Sequence, residues 1–131
     1  LYRKVFVFRK DPSDAYVLLR AKLDRPLQNF TLCLRSYTDL TRHVCASWES
    51  TTGIAEFWFN GKPWPRKGLQ RGYTVGAEAA ILLGQEQDTF GGGFDVYNSF
   101  SGELADVYLW DAGLSPDKMR AAYQSLSLPP A

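Results

Sequence analysis

The sequence contains a single histidine, two cysteines and one methionine among its 131 residues. It has no Gly-x-Ser-x-Gly nucleophile motif, and two cysteines with one histidine do not form the four-ligand pattern of a zinc site. No run of about 18 apolar residues occurs, so we predict no membrane-spanning helix. The formal net charge is +1 and there is no long basic tract, so the chain carries no specific nucleic-acid motif.

Enzymatic activity is also poorly supported. A glycosidase needs two carboxylates that flank the bond to be cleaved, and Glu49 and Glu56 are the only close pair on predicted strands. Glu56 stands between Ala55 and Phe57 and faces opposite to them, as expected for a solvated strand face. Trp48 is predicted to be a core residue rather than a platform for a sugar, and so is the Trp of the next strand. We therefore expect that the protein is not an enzyme.

Apolar residues make up 45% of the chain and aromatic residues 15%, which is enough for the core of one domain over residues 1–131. Short strands bounded by turn residues are predicted at residues 4–8, 16–19, 29–37, 44–48, 54–59, 79–83 and 104–110. The first reads as buried on both faces, whereas the third alternates polar and apolar positions. Asn60-Gly61 is a favoured type I′ hairpin turn. The pattern indicates an antiparallel β-sandwich.

One helix is predicted near the end of the chain. Ser115 is the candidate N-cap, Pro116 occupies the first helical position and Asp117 suits the positive end of the helix. An apolar stripe with helical spacing follows, and it consists of Met119, Ala122, Tyr123 and Leu126. Two consecutive prolines at 129–130 end the helix.

The loop at residues 84–100 concentrates oxygen donors. Glu86, Asp88, Asp95 and Asn98 lie within thirteen positions, and three glycines at 91–93 separate them. Oxygen ligands on a flexible loop without His or Cys suit a hard cation, and Ca²⁺ best. The spacing is not that of an EF-hand. The alternative from composition is a solvated polar loop with scattered acidic residues.

Two further features point to an oxidising, extracellular environment. Cys33 and Cys45 each lie in an apolar, strand-like context, which favours a disulfide between facing strands; two buried free thiols are the alternative. Asn29-Phe30-Thr31 fits the N-x-Thr glycosylation pattern. The pattern is weak alone, but beside a disulfide candidate it adds to the case for secretion.

The residue order in the loop is more specific than its composition. The residues run Gly84-Gln85-Glu86-Gln87-Asp88, then the three glycines, then Phe94-Asp95. This order resembles the calcium loop of the pentraxin family. The segment His43-Val44-Cys45-Ala46-Ser47-Trp48-Glu49-Ser50 resembles the family signature H-x-C-x-S/T-W-x-S. Residues 4–8, 27–34, 53–63 and 67–75 are also similar to the family, so the resemblance covers nearly the whole chain.

The resemblance implies a jelly-roll sandwich with one helix on the face opposite the calcium site. It implies side-chain calcium ligands at Glu86, Asp88, Asp95 and Asn98, and a backbone carbonyl ligand at Gln87. Asp95 and Asn98 stand where the family often has Glu and Gln, so their shorter side chains reach less far. The family also implies an intrachain Cys33–Cys45 bridge. The implied function is secreted, calcium-dependent recognition of phosphate-bearing, choline-type or polysaccharide ligands by rings of five subunits.

The chain departs from the family at two places. Residues 40–42 run directly into His43, where family members have several strands between the two segments, including an Asp-Asn pair that joins the calcium site. The chain also stops after Pro129-Pro130, where family members continue into a Trp-containing segment and a strand. We therefore expect an incomplete jelly roll with weaker calcium binding and a weakened homopentamer. The alternative is a truncated product that binds no ligand.

Overall fold

A computed structural model of the protein describes residues 5–8, 16–20, 23–38, 40–78, 80–84 and 101–124. Within these ranges the elements are β1 Val5–Phe8, β2 Val17–Arg20, β3 Asn29–Tyr37, β4 Thr41–Glu49, β5 Ile54–Phe59, β6 Lys62–Pro63, β7 Lys67–Gly68, β8 Ala80–Leu83, β9 Gly102–Trp110 and α1 Pro116–Gln124. All seven predicted strands are present, and the short β6 and β7 are additional. No helix among the described residues is long and apolar enough to cross a membrane.

The strands form two antiparallel sheets. The large sheet has the order β1-β9-β3-β4-β5-β6, with β7 also paired to β5, and the small sheet consists of β2 and β8. The centre of the large sheet is the β3–β4 hairpin, which pairs residues along nine positions from Asn29 opposite Glu49 to Tyr37 opposite Thr41. An antiparallel β fold with one short helix was predicted, and the structure confirms it.

The two faces of the large sheet cover different cores. On one face, α1 packs through Met119 and Ala122 against Cys33, Cys45 and Trp58. On the other face, the small sheet packs against β1, β9 and β3 in a second cluster that contains Phe8, Leu83, Leu104 and Val107. The helix, the large sheet and the small sheet therefore form three layers.

The prediction that the first strand is buried on both faces is wrong. Val5 is 54% exposed and Val7 is 63% exposed, whereas Phe8 is 4% exposed. The reason is position, because β1 forms the edge of the large sheet beside β9. Only the face that carries Phe6 and Phe8 meets the small sheet.

Local turn and capping signals give the predicted structures. Asn60 and Gly61 have φ values of 50° and 77°, as a type I′ turn requires. The Ser115 side chain accepts a hydrogen bond from the Lys118 backbone N–H at 3.4 Å, and its carbonyl accepts one from Met119 at 2.9 Å. The predicted end of the helix, from Leu126 to the two prolines, lies outside the described residues.

Candidate functional site

The predicted calcium loop connects the two sheets. Gly84, with φ of 92°, follows the end of β8, and Gly102, with φ of 135°, begins β9. Leu83 and Leu104, one residue before Gly84 and two after Gly102, belong to the same buried cluster. Both ends of the connection are therefore anchored in one core between the sheets. The helix α1 covers the other face of the large sheet.

The predicted ligands themselves, Glu86, Gln87, Asp88, Asp95 and Asn98, lie outside the described residues. The assignment of calcium to these five residues therefore stays a prediction. The structure adds that the segment carrying them lies between the strands β8 and β9.

The two cysteines form a disulfide. Cys33 on β3 and Cys45 on β4 are register partners, their Cα atoms are 4.1 Å apart, and their sulfur atoms are bonded. Both are at most 1% exposed. The predicted bridge is confirmed, and the alternative of two free thiols is wrong.

His43 is a core residue beside this bridge. It is 3% exposed, its ring lies 5.7 Å from the ring of Tyr123, and its backbone N–H donates to Asn60 Oδ1 at 2.8 Å. Burial, and to a smaller extent the nearby Arg35 guanidinium, lowers the pKa of His43 to about 4, although Asp106 opposes the shift in part. The imidazole is therefore neutral at physiological pH.

The donor atoms of Cys33, His43 and Cys45 lie within 4.8 Å of one another. Because the two sulfurs are bonded to each other, neither is a thiolate that could bind a metal. This group is a structural cluster in the core and not a calcium site, since calcium binds oxygen ligands.

The other side chains of the eight-residue signature also build the scaffold. Trp48 is 8% exposed and its indole N–H donates to the Leu69 carbonyl at 2.8 Å. The Ser50 hydroxyl donates to the Tyr73 carbonyl at 2.5 Å. These two hydrogen bonds connect the loop after β7 to the C-terminal end of β4. The prediction that Trp48 is core rather than a sugar platform is confirmed, as it is for Trp58, which is 6% exposed.

The glycosylation candidate Asn29 is half-buried at the start of β3. It borders a cavity of about 540 Å³ that is also lined by residues 25–28, Thr74 and Asp111. Thr31 is fully buried, and its hydroxyl donates to the Ala112 carbonyl at 2.8 Å and accepts from the Leu114 N–H at 3.0 Å. Thr31 therefore has a structural role that is independent of any glycan on Asn29.

Sequence reasoning missed the shape around Glu49 and Glu56. Both border one hollow of about 380 Å³ on the helix side of the large sheet. Glu56 pairs with Arg66 at 3.3 Å, and Glu49 accepts a hydrogen bond from the Thr51 hydroxyl at 2.7 Å. The alternation along β4 and β5 predicts that Glu49 and Glu56 lie on the same face of the sheet. The hollow, however, also depends on residues 113–115 before α1, and no local sequence pattern indicates that contact.

The fold and the disulfide define an antiparallel, lectin-like β-sandwich. The Pentaxin family model matches residues 4–43 and 41–131. Serum amyloid P-component of Mesocricetus auratus is 42% identical over 174 residues, covering 97% of this chain and 74% of the relative. Mucosal pentraxin of Rattus norvegicus is 43% identical over 155 residues, covering 82% and 71%. A solved structure, described as a native heptameric SAP-like pentraxin from Limulus polyphemus, matches with a TM-score of 0.79 and 20% identity, covering 92% of this chain and 82% of that one.

This chain belongs to the pentraxin family, whose members are binding proteins and not enzymes. The fold is accordingly the jelly-roll type of its structural neighbour. The two matched segments overlap at residues 41–43. The alignment with the Mesocricetus auratus protein spans 174 positions, although this chain has 131 residues. Relatives therefore carry residues with no counterpart here. The overlap of the two matched segments falls on the first three residues of β4, beside the tip of the β3–β4 hairpin.

Proposed function

We propose that this chain is a secreted, calcium-dependent binding protein for phosphate-bearing, choline-type or polysaccharide ligands. Two observations support the proposal: Glu86, Asp88, Asp95 and Asn98 all belong to one connection in the sequence, and the strands at both ends of that connection contribute to the same hydrophobic cluster. Its relatives include serum proteins of this family, which supports the recognition role.

The chemistry of the donor set fits calcium. Three carboxylates, one amide and the Gln87 carbonyl are all oxygen ligands. Bound Ca²⁺ would supply a concentrated positive charge that attracts an anionic oxygen of the ligand. Ca²⁺ takes six to eight oxygens, so this set leaves positions for water or ligand. The Asp-Asn pair that the family resemblance places in the absent segment would have filled some of them, and we expect weaker calcium binding than in longer relatives.

Calcium titration by calorimetry tests the site. Asp88→Ala is expected to abolish the heat of calcium binding, whereas Asp24→Ala, which removes an exposed carboxylate far from the loop in sequence, is expected to leave it unchanged. The wild-type protein is then applied to phosphorylcholine resin with calcium and eluted with chelator. An unchanged titration of the Asp88 variant would place the ion elsewhere.

We also propose secretion with a glycan on Asn29. The disulfide supports this because such bridges persist in oxidising compartments. Expression in secretory cells, followed by treatment with an N-glycosidase, should lower the mass of the wild-type protein but not of Asn29→Gln. Equal masses before and after treatment would remove the glycan from the proposal.

A second function, a family member without ligand binding, is favoured by the junction at residues 41–43. It predicts a folded protein that gives no calcium heat and passes through the resin. Near-ultraviolet circular dichroism would establish that the protein is folded. The calcium titration would then decide between the two functions.

A further inference from the structure

One face of the large sheet is only partly covered. The register places Val44 opposite Phe59 and Ala46 opposite Phe57, on the face that turns away from α1. All four are half-buried, whereas Trp58 on the helix side is 6% exposed. A partly exposed apolar strip therefore runs along β4 and β5, and at Phe59 it is flanked by the ring of Trp64, 5.9 Å away between ring centres.

The strip lies beside the junction where relatives carry additional residues. The cluster beneath the small sheet reaches β3 through Leu32 and Leu34 but includes no β4 or β5 residue of the described chain. The hairpin tip between Tyr37 and Thr41 adjoins Arg42, the first residue of β4 on this face. The strip therefore begins beside the position where the relatives' additional residues would join this chain.

A cavity of about 270 Å³ lies at one end of the strip. Its wall is almost entirely apolar and includes Phe30, Ala46, Phe57, Leu69, Tyr73 and Val75. The indole N–H of Trp48, which also lines it, is already bonded to the Leu69 carbonyl. Such a cavity suits a hydrocarbon group, because burial of apolar surface is favourable and no polar group is left unpaired.

Two cations lie at the other end of the strip. The Arg42 guanidinium carbon is 5.4 Å from the centre of the Phe59 ring, and Lys62 is the register partner of Phe59 on the same face. Neither forms an ion pair with a described carboxylate. Ala46 at the cavity is four positions along β4 from Arg42, which corresponds to about 13 Å along a strand.

We propose that this face binds a single fatty acid molecule, with the end of its tail in the cavity and its carboxylate between Arg42 and Lys62. The hydrocarbon core of a bilayer is about 30 Å thick, so the acyl chain of one leaflet spans about 15 Å. This length is similar to the distance of about 13 Å from the cavity to Arg42. Charge-assisted hydrogen bonds hold the carboxylate. A fatty acid fits this face better than a second copy of the chain does. A second copy would place its own Arg42 and Lys62 against the same two cations, whereas a carboxylate neutralises them. The site is distinct from residues 85–100 and needs no calcium.

Calorimetry with dodecanoate below its micelle concentration, in the presence of chelator, tests the proposal. One saturable binding event is expected. Arg42→Gln with Lys62→Gln should weaken binding at least tenfold, and Ala46→Leu, which places a larger side chain in the cavity, should weaken it similarly. The matched control, Lys118→Gln with Arg120→Gln, removes the same charge from α1 and should leave binding unchanged. Butyrate and dodecanol, which lack the tail or the charge, should bind at least tenfold more weakly.

Several results would overturn the proposal. The first is equal binding by the Arg42 and Lys62 double variant, and the second is a loss caused by Lys67→Gln alone, at the opposite end of β5. The third is a dimer in sedimentation that excludes dodecanoate, because a second copy then occupies the face. Near-ultraviolet circular dichroism checks the fold of each variant. If Ala46→Leu does not fold, the double charge variant at the surface decides the question.

Discussion

At the scale of single residues, His43 gives the core a dependence on pH. Burial lowers its pKa from 6.5 to about 4, so between these values the unfolded chain takes up a proton that the folded protein does not. The free energy of unfolding therefore rises with pH across this window. The contribution is complete above pH 6.5 and is lost as the pH falls toward 4, and its size is up to about 3 kcal/mol.

Urea unfolding at several pH values between 4 and 7 measures this dependence. The wild-type protein should lose more stability per pH unit near pH 5.5 than His43→Gln, which cannot take up the proton. The comparison uses slopes, so a constant destabilisation by the substitution does not affect it. Parallel curves for the two proteins would show that His43 does not titrate as its burial requires.

Thr31 is the second residue with a measurable structural role. Thr31→Val keeps the shape but leaves the Ala112 carbonyl and the Leu114 N–H without their side-chain partner. We expect a loss of about 2 kcal/mol in the free energy of unfolding. Thr31→Ser keeps the hydroxyl and should lose less. Protein from bacteria, which carries no glycan, gives this comparison by urea denaturation, and equal losses in both variants would contradict it.

Some contacts of single residues could be predicted from the sequence and others could not. The pairing of Cys33 with Cys45 and the core position of Trp48 were predictable, because strand context and the family signature both indicate them. The ion pair of Arg35 with Asp106, at 3.0 Å, was not. It joins β3 to β9 beside a register shift, and Asp106 has a φ of 50°. Nothing in the local sequence specifies a shift of register between distant strands.

At the scale of elements, strands with regular alternation were predicted well, and edges were not. Hydrophobicity alone does not distinguish an edge strand from a central one, which explains the error at β1. The two-residue strands β6 and β7 exist only because β5 offers them hydrogen bonds. The membership of β2 and β8 in a separate sheet depends on three-dimensional packing.

The turn between β5 and β6 connects hairpin and helix. A Cβ on Gly61 would lie 2.7 Å from Tyr123 Cδ2, and the φ of 77° strains any other residue. Gly61→Ala should therefore cost about 1–2 kcal/mol. Gly68→Ala is the matched control, because an added Cβ there meets nothing within 4 Å. Thermal unfolding of both variants measures the difference in stability. Equal unfolding midpoints would contradict the prediction, because they would show that the turn and the helix accommodate the added methyl group without loss of stability.

At the scale of the whole molecule, we expect that the absence of the relatives' additional residues affects oligomerisation most. The partly exposed apolar strip along β4 and β5 favours irregular association, because apolar surface patches often mark sites of contact with a partner. We therefore expect sedimentation with calcium to show monomers or heterogeneous aggregates rather than one closed pentamer. A single pentamer, retained on phosphorylcholine resin and released by chelator, would show that the segment is dispensable.

The candidate calcium site was predictable only as a list of donors. The oxygen-rich composition and residue order indicate calcium, but they do not specify the path of the 18 residues between β8 and β9. What the structure contributes is the position of the ends, in Leu83 and Leu104 of one cluster. The open face was not predictable, because it depends on how far the small sheet extends over the large one.

The direct joining of β3 to β4 has a kinetic consequence. Cys33 and Cys45 are only 12 positions apart, and the nine paired positions between their strands close around a short turn. In relatives, the additional residues at this junction must be ordered or looped out before the same strands meet. Contacts between residues close in sequence form faster than distant ones. This chain should therefore form its central hairpin, and oxidise its disulfide, early and largely independently of the rest of the molecule.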